Sequence, residues 1–68
     1  MIKTKFIVTT LEDWISMLIE FEYKLKEWSD KSSSAYYNIE LFIGDNEYCI
    51  VITVESNEED SDTNRLNL

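Results

Sequence analysis

Two runs of alternating apolar residues on either side of a short turn constrain this chain more than any other feature. Tyr37, Ile39, Leu41 and Ile43 alternate with Tyr36, Asn38, Glu40 and Phe42. Tyr48, Ile50, Ile52 and Val54 alternate with Cys49, Val51, Thr53 and Glu55. A period of two is the signature of a strand with two unlike faces. Between the runs, Gly44-Asp45-Asn46-Glu47 supplies residues that tolerate turn conformations. A two-residue loop at Asp45-Asn46 pairs Ile43 with Tyr48, Leu41 with Ile50, Ile39 with Ile52 and Tyr37 with Val54. All four pairs then share one apolar face, and a slip of one residue would put polar side chains there instead. The sequence therefore predicts a hairpin with strands at 35–43 and 47–55.

A second periodicity precedes it. Leu11, Trp14, Leu18, Phe21, Leu25 and Trp28 recur at spacings of three and four, with Ile15, Met17 and Ile19 widening the stripe. This predicts an amphipathic helix over 11–28. Thr9 with Glu12, or Thr10 with Asp13, has capping-box spacing at its start. Glu20 with Lys24 and Glu22 with Lys26 stand four apart in the favourable order. Glu22 falls inside the apolar arc, and its carboxylate is expected to extend outward to Lys26. Residues 29–34, Ser-Asp-Lys-Ser-Ser-Ser, read as a loop.

Residues 2–8 read as a short strand, with Ile2, Phe6 and Val8 on one face and Lys3, Lys5 and Ile7 on the other. The order is strand, helix, strand, strand. The expected fold is α+β: one amphipathic helix packed on a three-stranded, mainly antiparallel sheet. The first strand is expected antiparallel to the third, in spatial order 2-3-1, rather than parallel to the second through a right-handed crossover. Residues 1–55 are expected to form the single domain, and 56–68, without periodicity, a disordered acidic tail.

The 68-residue chain carries a formal net charge of −8, unevenly spread. Residues 1–31 hold five lysines against six acids, and residues 32–68 hold one arginine against eight acids. A field of this sign repels nucleic acid and anionic membranes and attracts basic surfaces. It argues against direct nucleic-acid binding. The bland alternative is that acidity serves solubility. No apolar run approaches the length of a membrane helix or a signal-peptide core. One free cysteine, Cys49, fits a reducing compartment, so the cytoplasm is the expected location.

Conventional catalysis finds little support. The chain has no histidine and a single glycine. Cys49, in mid-strand among acids, reads as an ordinary strand residue. No base stands ready for a nucleophile, and no Gly-rich loop could cradle phosphate. The string Asp60-Ser61-Asp62-Thr63-Asn64 opens like a calcium loop, but Arg65 stands where its glycine should be and the chain stops before its last ligand. No enzyme activity, cofactor or metal is expected.

What remains is binding. The helix can cover one sheet face only, which leaves Tyr36 and Phe42 among carboxylates on the other. Aromatic anchors with an acidic rim suit a basic partner. The expected partner-binding residues are Tyr36, Glu40, Phe42, Asp45, Glu47, Glu55, Glu58, Glu59, Asp60 and Asp62. In size and charge the chain resembles small phage-encoded DNA mimics, such as anti-restriction, anti-CRISPR and uracil-glycosylase inhibitor proteins. That resemblance implies an inhibitor occupying the basic groove of a nucleic-acid-binding protein. Two alternatives stand beside it. One is a homo-oligomeric module, such as a homodimer, that self-associates through the outer hairpin face or the Trp14–Trp28 helix edge. The other is an immunity protein or antitoxin that neutralises a basic toxin.

Overall fold

The periodicities set out above become four elements. In a computed structural model describing residues 1–31 and 35–56, β1 spans Ile2–Val8, α1 Leu11–Lys31, β2 Ala35–Gly44 and β3 Glu47–Ser56. The chain is α+β, with one helix on a three-stranded antiparallel sheet of order β1-β3-β2. Ser56, expected to open the tail, instead closes β3, and the rest of the expected tail, residues 57–68, lies outside the described residues.

The hairpin adopts the register its apolar faces demand: Ile43 opposite Tyr48, Leu41 opposite Ile50, Ile39 opposite Ile52 and Tyr37 opposite Val54. On the far side of β3, Phe6 pairs with Ile50 and Ile2 with Val54. The turn is completed by Asn46 at φ 56°. Asparagine is among the few residues that enter this left-handed region readily.

The helix starts at Thr10, whose Oγ1 accepts a hydrogen bond from the Asp13 backbone N–H at 3.2 Å. Of the two caps the sequence offered, the second forms. The helix runs on to Lys31, three residues past the expected end at Trp28. Nothing in Ser29-Asp30-Lys31 forbids helix, and local bonds favour it. The Ser29 hydroxyl donates to the Lys26 carbonyl at 3.1 Å, and Lys31 pairs with Glu27 at 3.0 Å. A cation in the last turn also suits the helix dipole.

Phe21, Leu25 and Trp28 are buried against Ile50, Ile52 and Val54 of the central strand. Phe6 meets Phe21 with ring centroids 4.6 Å apart. Trp14 stacks obliquely on Tyr48 at 5.1 Å, and its indole N–H donates to the Cys49 carbonyl at 3.1 Å. Both tryptophans thus face the sheet, so the Trp-bearing edge is core rather than a free interface. The helix leaves two opposite corners of its own sheet face uncovered. Ile2, at the start of β1, is exposed, and so are Leu41 and Ile43, at the turn end of β2. A helix that enters from β1 and leaves toward β2 crosses obliquely, which accounts for both corners.

Candidate functional site

The second sheet face has no element over it. Strand alternation assigns its residues, and the register orders them in rows across β1, β3 and β2. Ile7, Cys49 and Phe42 form one row, and Lys5, Val51 and Glu40 the next. Lys3, Thr53 and Asn38 follow, then Glu55 with Tyr36. At the turn end, Glu47 stands opposite Gly44.

This face is partly closed by its own edges. Cys49 and Val51 lie on it, yet are only 6% and 8% exposed. Their row neighbours are Ile7 and Phe42, and the long stems of Lys5 and Glu40, which shield the central strand without a covering helix. What reaches solvent is the ring of Phe42, the ring of Tyr36 and the side chain of Ile7, each about half exposed or more. Cys49 is a buried free thiol, consistent with an ordinary strand residue.

Six of the ten expected partner-binding residues are described, and the register gathers five of them here. Tyr36, Glu40 and Phe42 alternate along β2, while Glu47 and Glu55 stand near the two ends of β3. Asp45 is exposed at the adjoining turn. Glu40 lies opposite Val51, midway between Glu47 and Glu55. At ~3.4 Å per residue, the three carboxylates are therefore spaced about 14 Å apart along the strand direction. Glu47 is only half-buried and folds back toward Gly44: a Cβ there would sit 3.1 Å from its Cγ. Gly44, with no side chain, provides room for that carboxylate arm. Glu58, Glu59, Asp60 and Asp62 lie outside the described residues.

Sequence reasoning missed the other half of the face. Lys3, Lys5 and Ile7 occupy its β1 side, because β1 pairs antiparallel with β3. The acidic rim is one-sided: carboxylates border β2 and the ends of β3, and ammonium groups border β1. The signal was available in the alternation of residues 2–8, but it becomes charge geometry only once β1 is set beside β3.

Among the described residues, no group of three or more Cys, Asp or Glu could hold a metal ion. The depression between Tyr23, Lys26, Glu27 and Asp30 is shallow and open. No described helix is long and apolar enough to cross a membrane. Compared with protein-family models, curated proteins and solved structures, the chain matches none of them.

Proposed function

We propose that this chain is a non-enzymatic cytoplasmic binding protein that occupies the basic nucleic-acid-binding groove of a target protein, as an inhibitor of the DNA-mimic type. One observation carries the reading: the hairpin register sets Glu40, Glu47 and Glu55 on the same uncovered face as the exposed rings of Tyr36 and Phe42. A rigid strand pair fixes the spacing of the carboxylates before binding, so little ordering entropy is lost on association. An interval of about 14 Å along the strands equals roughly four phosphate steps at 3.4 Å of duplex rise. The rings supply apolar contact between and beside the carboxylates, where charge alone gives little affinity. Lys3 and Lys5 limit the footprint: a basic groove meets the β2 side and is repelled from the β1 side.

The test is capture from cell lysate on the immobilised full chain at low and high salt, with duplex DNA as competitor. The expected result is a basic nucleic-acid-binding protein held at low salt and released by either salt or DNA. The triple variant Glu40→Gln, Glu47→Gln, Glu55→Gln should capture much less of it. Recovery of no such protein at either salt would refute the reading.

A further inference from the structure

The outward side of α1 carries apolar residues that folding does not use. The sequence suggests that Ile15 and Ile19 widen the core stripe. In the structure they are 49% and 63% exposed, and Tyr23, one turn further on, is 72% exposed. At 3.6 residues per turn, Glu12, Ile15, Tyr23 and Lys26 all project within about 40° of the Ile19 direction. They form one narrow stripe facing away from the sheet, in the order acid, apolar, apolar, aromatic, base, and the exposed Asp30 continues it one turn past Lys26, beyond the start of an antiparallel partner helix.

That stripe is complementary to itself. If a second copy of the helix lies antiparallel across it, with a two-fold axis at Ile19, the order reverses. Ile19 then meets its own copy, Ile15 meets the partner's Tyr23, and Glu12 meets the partner's Lys26. Each of the last two contacts occurs twice, as a two-fold interface requires. The ends of the stripe lie about 21 Å apart at 1.5 Å per residue, so each ion pair sits ~10 Å from the axis, a separation that a helix crossing of about 20° keeps within side-chain reach. The charges that would pair are also available. Lys24 is paired with Glu20 and Lys31 with Glu27, whereas Glu12 and Lys26 make no ion pair with any described residue. The Glu22–Lys26 pair expected from the sequence does not form, and Glu22 is exposed.

We infer that α1 is the interface of a homodimer, with two helices packed antiparallel, back to back, between two outward-facing sheets. This does not depend on the proposed partner of the uncovered sheet face, because the helix and that face lie on opposite sides of the sheet. The dimer presents two acidic faces pointing away from each other. Its contact is small, in the range of transient association, so a weak, concentration-dependent dimer is expected.

The experiment is sedimentation equilibrium of the full chain over a concentration series up to about 1 mM, with circular dichroism to verify folding. The unmodified chain should pass from monomer to dimer. Ile19→Asp, at an exposed position, should keep its helical signal and remain monomeric. Lys26→Glu alone, and Glu12→Lys alone, should each weaken dimerisation about five- to tenfold, since each replaces attraction by repulsion at two places. The double variant Glu12→Lys with Lys26→Glu should recover the dimer. Only a reciprocal contact between these two residues gives that recovery. A monomer throughout the series, a dimer that persists in Ile19→Asp, or a double variant weaker than either single change would overturn the inference. Lysate capture is read separately, so failure of one proposal does not imply failure of the other.

Discussion

Asn46 and Thr10 each stand where the chain changes direction. Asn46 turns the hairpin at φ 56°, a conformation that costs a β-branched L-residue about 1–2 kcal/mol. Asn46→Val should therefore lower unfolding free energy by about that amount, whereas Asn46→Gly should leave it unchanged or slightly raised, as measured by urea denaturation. Thr10 satisfies one of the free N–H groups at the start of α1. Thr10→Ala should cost about 1 kcal/mol in the same experiment, and Thr10→Ser should restore most of it. Thr9→Ala should have little effect, which separates the cap that forms from the one that the sequence offered equally well. Trp14 is a third fixed point. Its indole N–H ties the helix to the Cys49 carbonyl of the central strand, so Trp14→Phe should lose about 1 kcal/mol even though an aromatic ring remains.

At the level of elements, the helix and the hairpin were legible for different reasons. The hairpin was legible down to its register, because four apolar pairs agree on only one alignment. The helix was legible in type and start but not in its end. Ser29-Asp30-Lys31 has no stop signal stronger than its polarity, and the Glu27–Lys31 pair and the Ser29 hydroxyl bond are enough to extend the last turn. Its buried arc is also narrower than the apolar periodicity suggests. Ile15 and Ile19 adjoin the buried stripe in a helical projection, but one helix on three strands covers less than the full arc, and the excess faces solvent. Leu25 lies at the centre of the contact between helix and sheet, fully buried with Ile50 and Ile52. Leu25→Ala should cost about 2–5 kcal/mol. In a domain of this size that approaches the whole stability, so the variant should be largely unfolded by circular dichroism at 37 °C.

For the whole molecule, the distribution of charge matters more than its sum. Counting by halves of the sequence puts the excess acidity in residues 32–68 and leaves residues 1–31, taken together, nearly balanced. The sheet then joins the two halves: β1 brings Lys3 and Lys5 onto the face that holds Glu40 and Glu55. That face has a sign on each side, which no count along the chain could show, because it depends on which strand lies beside β3. The candidate site was thus legible as a set of side chains on one strand face, and illegible as a field. The same holds for the outward stripe of α1. Its members were visible in the sequence, but their freedom to bind depended on which charges the folded helix had already paired. The two surfaces point in opposite directions, so the inferred dimer would still leave the acidic side open to the proposed partner.

The most direct measurement contrasts the two sides of the uncovered face. Lysate capture at low salt would be quantified for the unmodified chain, for the variant Glu40→Gln, Glu47→Gln, Glu55→Gln, and for the variant Lys3→Gln, Lys5→Gln. DNA mimicry by this face predicts that neutralising the carboxylates abolishes most capture of basic nucleic-acid-binding proteins, while neutralising the lysines leaves it intact or increases it. Equal losses in the two variants, or a loss confined to the lysine variant, would contradict it.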